Sequence, residues 1–399
     1  MTEDYTGRSI ESALKKKTVT TRDADLIRLF CNTLAAERDV GIGRKNKITS
    51  SLVSWRRFIG PYEKNTIGDL HEGIRQLKTA KTWKGTPFAP NTIADMVGVL
   101  RFFYSWLIEE KHSKISIVDL NKIKDPKRPG TVRTASDLLT KDELEAIIRG
   151  CRRDVDRAMI YVAYEGALRP GEVCQIRWRD LVFDDGGVKM NVEFKTRKPR
   201  YIRLVMAREH LVRWRDNYPG DPNGDAYVFL TRFNHPFTHS IFTKNLRNIA
   251  ARAGVEKKIT PHLLRHTRVT DMISSGAKES IVSLMCWGSV GSQMMKKYLH
   301  LTGVQIDDEI ARLYGIRPAG RPKKDEEFKP RQCPHCGEVA SPTSRFCPRC
   351  GSPLTEEAKT QVQSLTDTVD KGMIANAHDP KFVDAVARRM LELQEKKGQ

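Results

Sequence analysis

Apolar residues in the first third of the chain recur at steps of three and four, which places them on one face of a helix. One such series is Leu26, Phe30 and Leu34. The clearest predicted helix covers Asn91–Ile108, and Asn91, after Pro90, is its expected N-cap. We therefore predict a small all-helical domain over residues 20–125, preceded by a polar tail at 1–19.

The pattern changes to period two in the middle of the chain. Apolar residues that alternate with polar ones are Val188, Met190, Val192 and Phe194. This alternation predicts a half-buried strand, and Tyr201–Met206 predicts a second one. Between them lies Lys195–Arg200, a basic hairpin turn. Helical patterns return over Ser240–Ile316, so residues 136–318 are expected to be mainly helical with one small sheet.

Two stretches rich in proline, glycine and basic residues predict linkers, at 126–135 and 319–331. After the first linker, Thr140 and Glu143 have the spacing of a capping box and predict the start of a helix. Beyond the second linker, a cysteine cluster spans 332–353. Residues 354–399 form a predicted helical tail with the apolar stripe Phe382, Ala385, Val386, Met390 and Leu393, which packs on this chain or on a partner.

Composition and charge limit the class of protein. Hydrophobic residues make up 39 % of the chain, enough for packed cores, which excludes wholesale disorder. No apolar run reaches the roughly 18 residues of a membrane span, and the polar N-terminal segment does not fit a secretory signal. We therefore expect a cytoplasmic protein. Lysine plus arginine exceed aspartate plus glutamate by 69 − 49 = 20, which favours binding to a polyanion, most simply nucleic acid.

The eight cysteines divide into two sets. Four scattered ones are expected to be small buried apolar residues: Cys31, Cys151, Cys174 and Cys286. The other four form two Cys-Pro-x-Cys-Gly turns: Cys333, Cys336, Cys347 and Cys350. Thiolates from two such turns complete a tetrahedral structural zinc site, and the pattern resembles a zinc ribbon. A redox pair is the alternative, but the duplicated turn argues against it.

Several further side chains are candidates for chemistry. In chain order they are Arg169, Lys195, His262, Arg265, Trp287 and Tyr298. Taken singly, each has an ordinary explanation. Arg169, for example, fits a surface salt bridge, in which Glu172, three residues later, would orient its guanidinium group. His210 and Arg213 repeat the His-x-x-Arg spacing of His262 and Arg265 on what we interpret as an ordinary helix face.

Taken together, these residues resemble the active site of the tyrosine recombinase (phage integrase) family. The segments ALRPGE, KTRKPR and PHLLRHT, with the tyrosine and histidine of YLH, are similar to that family's motifs. The resemblance covers roughly residues 20–318. It implies a core-binding domain at 20–125 and a mainly helical catalytic domain with a small sheet at 136–318. One departure is that Trp287 stands about one residue further from the tyrosine than the family pattern suggests.

The resemblance also implies roles that suit the chemistry of each residue. Arg169 and Arg265 would hold a phosphodiester through bidentate hydrogen bonds. Tyr298 would attack phosphorus and form a 3′-phosphotyrosyl link, without ATP, another nucleotide or a catalytic metal. Lys195 would protonate the departing 5′-oxygen, although Lys198 is close enough in sequence to be the acid instead.

The remaining implied features concern the periphery of the site and assembly. His262 would donate a hydrogen bond or accept the tyrosine proton, and Trp287 would pack the site. The expected partner is double-stranded DNA, bound near the nucleoid by a tetramer that holds two duplexes. A helix within Ile306–Tyr314 is the candidate segment for exchange between subunits, although it fits a helix packed in its own subunit equally well.

Two other functions remain open from the sequence. A type IB topoisomerase also uses a tyrosine and arginines, but the separate helical domain and the motifs favour the recombinase. A basic, zinc-containing DNA-binding regulator without catalysis would show a degenerate site, and no expected side chain is missing here.

Overall fold

The protein is described by a computed structural model, in which the chain divides into two compact units, Met1–Thr131 and Val132–Gln399. The described residues are 4–128, 135–192, 199–290, 292, 294–295, 328–376, 379–381, 383–385 and 388. Within the described residues, the first unit contains helices and no strands, and the second is mainly helical with a three-stranded sheet. The predicted fold class, mainly α with a small sheet, is confirmed.

The described part of the first unit contains six α-helices around an aromatic core. They are α1 (Thr6–Lys15), α2 (Thr21–Arg38), α3 (Ile42–Trp55), α4 (Ile67–Thr79), α5 (Pro90–Glu109) and α6 (Ile117–Lys122). Phe30 of α2 meets Phe103 of α5 edge-on, with ring centroids 5.1 Å apart. Phe103 in turn stacks on Trp106 one turn later on α5. The period-three-and-four pattern therefore marks the faces that form this core.

The N-terminal segment differs from its prediction. Instead of a polar tail, residues 6–15 form α1, which packs against α3. Ile10 and Ala13 are buried on its inner face, and Leu14 packs against the same core. Three apolar positions at i, i+3 and i+4 suffice to hold a short helix once a neighbouring surface is available, although alone they are too few to mark one.

The start of α5 also differs by one detail. The helix covers Pro90–Glu109, close to the predicted Asn91–Ile108, but its N-cap is Ala89 and not Asn91. Pro90 occupies the first helical position, where its missing N–H costs no hydrogen bond and its fixed φ fits the helix. Asn91 therefore lies inside the first turn.

Asp23 is the main polar anchor of this unit. Its side chain and Thr20 form a reciprocal capping box at the start of α2. The carboxylate also accepts the backbone N–H of Tyr62 at 2.9 Å and an Arg56 Nε–H at 2.8 Å, although Asp23 is only 1 % exposed. Burial acts to raise the pKa of this carboxyl, but the backbone donors and Arg56 outweigh it and lower the pKa.

Before its cysteine-rich end, the part of the second unit that the structure describes contains seven α-helices and one sheet. The helices are α7 (Lys141–Arg149), α8 (Asp154–Glu165), α9 (Pro170–Val173), α10 (Arg208–Asp216), α11 (His239–Arg252), α12 (Pro261–Ser274) and α13 (Glu279–Trp287). The predicted capping box of Thr140 and Glu143 is present at α7. Cys151 and Cys174 are buried, which raises the pKa of each thiol to about 12, as expected for apolar cysteines.

The sheet is an antiparallel meander of β1 (Leu181–Asp184), β2 (Gly187–Val192) and β3 (Arg200–Leu204). The register pairs Val192 with Arg200 and Val188 with Leu204, so β2 and β3 form the predicted hairpin. The predicted alternation is confirmed, because β2 buries Val188, Met190 and Val192 and exposes the residues between them. Residues 193–198 of the hairpin lie outside the described residues.

The C-terminal part contains a second, two-stranded sheet and one long helix. Strands β4 (Arg331–Gln332) and β5 (Val339–Ala340) pair antiparallel, and α14 follows over Glu356–Asn376. Of the apolar stripe predicted near the C-terminus, only Ala385 lies within the described residues, and it is exposed. Among the helices that the structure describes, none is long and apolar enough to cross a membrane.

We predict that Asp23→Asn loosens the first unit. The amide leaves Arg56 without its carboxylate, at a cost of about 3 kcal/mol, or roughly a hundredfold in local opening. Hydrogen–deuterium exchange of α2 and of residues 56–66 measures this. Because folding lowers the pKa of Asp23, its stabilisation is present above the unfolded pKa of about 4 and is lost as the pH falls through the folded value. The difference in the free energy of local opening between wild type and variant should therefore be smaller at pH 3 than at neutral pH. An equal difference at both pH values would contradict this account.

Candidate functional site

The second unit carries a cluster of charged side chains centred on Glu172. Glu172 lies on the one-turn helix α9 and is buried. One of its oxygens accepts the backbone N–H of Arg169, the N-cap residue, at 2.8 Å. The other accepts an Arg169 Nη1–H at 2.9 Å. The predicted contact between Glu172 and Arg169 is thus present, and it fixes both the helix start and the guanidinium.

A second guanidinium reaches the same carboxylate from the sheet. Arg200 begins β3, and its Nη2 lies 2.6 Å from Glu172 Oε2 in a buried ion pair. Its Nη1 donates to the carbonyl oxygens of Met285 and Cys286, at 3.1 and 2.7 Å. From its sequence position, Arg200 was expected only in a basic turn. The sequence did contain a signal for its burial. Arg200 lies two and four residues before Ile202 and Leu204, so all three lie on the same, buried face of β3.

Arg265 completes the cluster from α12. It is 4 % exposed, and its Nη2 donates to the carbonyl oxygen of Cys286 at 2.9 Å. Its Nη1 donates to the carbonyl oxygen of Ala167, just beyond the end of α8. Cys286 lies in the last turn of α13, which ends at Gly288 in a left-handed conformation with φ 71°. Arg265 therefore satisfies carbonyl groups that helix ends leave unpaired, where a cation is also favoured by the helix dipole.

Trp287 packs beside this guanidinium. The Arg265 guanidinium carbon lies 5.5 Å from the centroid of the Trp287 ring, within range of a cation–π contact. Trp287 belongs to a small buried cluster with Ala167, Val269, Met272, Ile273, Val282, Cys286 and Met295. The indole therefore forms part of the wall against which Arg265 is held.

The cluster has an excess of positive charge. Burial lowers the pKa of Arg265, and the positive charges of Arg169 and Arg200 lower it further, while Glu172 acts in the opposite direction. An arginine remains protonated despite such a shift. Two guanidinium groups, of Arg169 and Arg200, thus share the Glu172 carboxylate, and the third, of Arg265, lies close enough to feel all three charges. The Arg169 side chain is one third exposed, so an anion can approach the cluster there.

The structure brings some of the predicted site residues together. Arg169, Arg265 and Trp287 belong to the cluster. His262 lies in the first turn of α12, three residues before Arg265, and is exposed where Arg265 is buried. Three candidates for the chemical steps lie outside the described residues, namely Lys195, Lys198 and Tyr298, as does the candidate exchange segment Ile306–Tyr314.

The second His-x-x-Arg pair has a structural role, as interpreted from the sequence. His210 is buried on α10 and stacks on Tyr161, with ring centroids 4.4 Å apart. Burial lowers the pKa of His210 to about 3, so the ring is neutral at physiological pH. Arg213 lies on the exposed side and pairs with Glu209.

Glu165, at the end of α8, is a positioning residue that the sequence did not reveal. Its carboxylate accepts three consecutive backbone N–H groups, from Val205, Met206 and Ala207, at 2.6 to 2.9 Å. Burial raises the pKa of Glu165, and these donors oppose that shift. The three bonds attach the end of β3 to α8, and so fix the strand that carries Arg200.

The four clustered cysteines have the geometry of a zinc site. Their Sγ atoms all lie within 4.8 Å of one another. Two pairs, Cys333 with Cys350 and Cys336 with Cys347, are 3.6 Å apart, too far for a disulfide bond. With Zn–S bonds of about 2.3 Å, a tetrahedral site separates its sulfurs by about 3.8 Å. The donor set therefore fits one structural zinc ion, with each sulfur supplying one ligand.

Both turns place glycine where the backbone needs it. Gly337 and Gly351 follow the second cysteine of each turn, with φ 74° and 73°. Their N–H groups donate to the carbonyl oxygens of Cys333 and Cys347, at 2.9 and 3.0 Å. The two turns are thus folded alike, as their matching sequences predict.

This cysteine module packs on α8 and α10. The Tyr161 hydroxyl donates to Ser341 Oγ at 3.2 Å and lies 2.7 Å from Thr343 Oγ1. Arg208 Nη1 donates to Glu338 at 2.7 Å. Ahead of the module, Phe328 is buried in the main core of the unit. The module is therefore attached to the second unit by polar contacts and by one aromatic side chain.

Comparison with protein families assigns both parts of the second unit. Residues 137–303 match the model of the phage integrase family, and residues 332–354 match a zinc-ribbon domain. These matches confirm the family and the zinc ribbon inferred from the motifs.

Individual relatives agree. The chain is 27 % identical over 289 residues to tyrosine recombinase XerC of Xanthomonas campestris, covering 70 % of this chain and 83 % of the relative. It is 29 % identical over 244 residues to XerD of Lacticaseibacillus casei, covering 58 % and 78 %.

Solved structures of low sequence identity share the fold. A lambda integrase dimer bound to a COC′ core site aligns with a TM-score of 0.56 at 16 % identity, covering 70 % of this chain and 77 % of that one. The Tn1549 transposon integrase, in complex with a circular intermediate DNA, aligns with a TM-score of 0.54 at 16 % identity. The alignment covers 72 % of this chain and 99 % of that one. Residues 137–303 thus match the phage integrase family, and the relatives to which the longer chain is similar are tyrosine recombinases.

We predict that Glu172→Gln destabilises the second unit by about 3 to 5 kcal/mol, because it leaves Arg200 buried without its counter-ion. Glu145→Gln is a matched control, since it breaks only a pair with the exposed Arg149 and should cost less than about 1 kcal/mol. Urea unfolding measures the stability of both variants, and hydrogen exchange in β3 and α12 shows where the loss occurs. Equal stability of the two variants would contradict the central role of Glu172.

We predict one zinc ion per chain, measured by mass spectrometry of the metal. The double variant Cys336→Ala, Cys347→Ala should lose it and should raise hydrogen exchange at residues 339–344, because a module this small needs its metal to fold. Cys174→Ala, at a buried cysteine outside the cluster, should keep the ion. Zinc retained by the double variant would show that these thiols do not hold it.

Proposed function

We propose that this protein cuts and rejoins double-stranded DNA at specific sites through a covalent link to Tyr298. The observation that carries the proposal is the Glu172 cluster, in which Arg169 and Arg200 share one carboxylate and Arg265 lies beside them, bonded to the Cys286 carbonyl oxygen that Arg200 also uses. Such a cluster favours an anion with several oxygens, and a phosphodiester is the anion that a protein of net charge +20 meets along DNA.

Arg169 and Arg265 supply the electrostatic part of the reaction. Negative charge develops on the non-bridging oxygens when phosphorus is attacked, and fixed guanidinium groups stabilise it. Glu172 and the helix-end carbonyls hold these groups before substrate arrives, so little reorganisation is needed. His262, on the exposed first turn of α12, donates a hydrogen bond or accepts a proton at the same phosphate.

Tyr298 is the proposed nucleophile. Its hydroxyl oxygen bonds to phosphorus, its proton passes to His262, and the bond from phosphorus to the 5′-oxygen breaks. Lys195 then protonates the departing oxygen, with Lys198 as the alternative acid. The products are a 3′-phosphotyrosyl link and a free 5′-hydroxyl. In rejoining, the 5′-hydroxyl of another cut strand attacks phosphorus, the bond from phosphorus to the Tyr298 oxygen breaks, and His262 returns the proton to Tyr298. A tyrosine with a reference pKa of about 10 needs nearby cations to ionise, and the arginines provide them.

No nucleotide or catalytic metal enters this scheme. The phosphotyrosyl link conserves the energy of the broken phosphodiester, so rejoining needs no ATP. Four thiolates would bind the zinc ion, which leaves no open coordination position for a substrate. We therefore assign zinc a structural role.

We further propose how the chain is organised on DNA. Residues 20–125 act as the core-binding domain and 136–318 as the catalytic domain, joined by a linker at 126–135. A lambda integrase tetramer bound to a Holliday junction shares the fold, with a TM-score of 0.54. By analogy, four copies of this protein would hold two duplexes and exchange the segment Ile306–Tyr314, acting on the DNA of the nucleoid.

The test uses a DNA substrate nicked beside the cleavage point and made from the sequence that flanks this gene. In EDTA, the wild-type protein should form an SDS-resistant protein–DNA band, and Tyr298→Phe should form none while its DNA affinity stays within about twofold. The variant removes only the attacking oxygen, which is why binding should persist.

Other outcomes redirect the assignment. An adduct formed by Tyr298→Phe would place the nucleophile elsewhere, with Tyr314 the next candidate. Tight, specific binding by the wild type without any adduct would favour a regulator that binds DNA without cutting it. Loss of the adduct in EDTA, restored by a divalent metal, would contradict the metal-independent mechanism.

A further inference from the structure

One tryptophan stands apart from the packing of its unit. All six tryptophans lie within the described residues, and five are at most 7 % exposed: Trp55, Trp106, Trp178, Trp214 and Trp287. Trp83 is 87 % exposed. An indole left in water at this level does not stabilise the fold, so its presence calls for another explanation.

Trp83 is held at the tip of a stiff turn between α4 and α5. Lys81 and Pro87 form an antiparallel bridge at the base of this 81–87 turn. The Thr82 N–H donates to the Thr86 carbonyl oxygen at 2.7 Å, and the two threonine hydroxyl oxygens lie 2.9 Å apart. Gly85 adopts a φ of 77°, which closes the turn without strain. The backbone therefore holds Trp83 outward before any partner binds.

The same turn occurs in the second unit. Leu230 and Pro236 form the equivalent bridge, and Asn234 has φ 59° at the position of Gly85. The tip carries Phe233, which is 65 % exposed and occupies the position of Lys84, one residue later than that of Trp83. In both turns the phenylalanine after the proline packs inward, so the tip aromatic is not needed to anchor the turn: these inner residues are Phe88 and Phe237.

The surroundings of Trp83 are cationic. The segment from Lys78 to Phe88 contains three lysines and no carboxylate. Lys84 Nζ lies 4.9 Å from the centroid of the Trp83 ring, and Arg57 donates to the carbonyl oxygen of Lys81 at 3.3 Å. A flat apolar surface bordered by cations matches the sugar and base edges of DNA bordered by phosphates.

We propose that the 81–87 turn is a DNA-contact element, in which Trp83 packs against the sugar and base edges of the duplex. In this arrangement Lys81 and Lys84 neutralise the flanking phosphates. The inference rests on the proposed function, because it takes duplex DNA as the substrate. Within the proposed core-binding domain, it adds one specific contact element and a side chain that has no part in the chemical steps.

The first experiment measures the affinity of the full chain for a labelled duplex made from the DNA that flanks this gene, over a series of salt concentrations. Trp83→Ala should weaken binding about tenfold at every salt concentration, because the lost contact is apolar. Lys84→Ala should instead reduce the slope of log affinity against log salt by about one, since one phosphate contact is lost. Trp83→Phe should restore most of the affinity.

Val118→Ala is the matched control, since Val118 is 65 % exposed in the same unit and outside the turn. It should leave affinity unchanged. Equal affinity of wild type and Trp83→Ala would overturn this inference alone. Absence of duplex binding by the wild type would contradict the proposed function as well. A changed oligomeric state of DNA-free Trp83→Ala, with unchanged DNA affinity, would assign the turn to contact with a second copy of the chain.

A second measurement follows Trp83 directly. Because the other five tryptophans are buried, acrylamide should quench mainly Trp83, and Trp83→Phe should remove most of the quenchable fluorescence. The duplex should protect the wild-type signal from acrylamide. Quenching of the bound protein equal to that of the free protein would overturn the proposal.

Discussion

The carboxylate of Glu172 is the interaction on which the site depends. A buried guanidinium is unfavourable unless it finds a counter-ion and hydrogen-bond acceptors, and Glu172 supplies the charge for Arg200 and Arg169 together. Because one carboxylate serves several cations, the cluster keeps a net positive charge. The pairing with Glu172 thus stabilises the site and still leaves an unbalanced positive charge. A phosphate-binding site needs such a charge.

The ends of helices supply the other acceptors. Cys286, in the last turn of α13, accepts hydrogen bonds from both Arg200 and Arg265, and Ala167 beyond α8 accepts one from Arg265. The arginines therefore cap the ends of these helices. At the end of α8, Glu165 fixes β3, and in its middle Tyr161 contacts the zinc ribbon. This helix accordingly links the arginine cluster, the sheet and the ribbon in one unit.

Regular patterns in the sequence were the most informative. The helix near Asn91–Ile108, the capping box of Thr140 and the hairpin of β2 and β3 are present, because each depends on interactions between residues close in sequence or on a clear period. The N-terminal segment was predicted wrongly for a physical reason. The short α1 was predicted as a tail, since its few apolar residues gain stability only from packing on α3.

The sequence by itself determined the resemblance to the phage integrase family and the two-turn cysteine motif, because these follow from residue types at fixed spacings. Only the tertiary structure decided that Arg200 belongs with Glu172, that Glu165 holds the strand behind it, and that Trp83 is exposed where five other tryptophans are buried. These facts join residues that are far apart in sequence or depend on what surrounds a side chain. Burial and charge pairing are set by the packed neighbours, which a linear pattern does not specify.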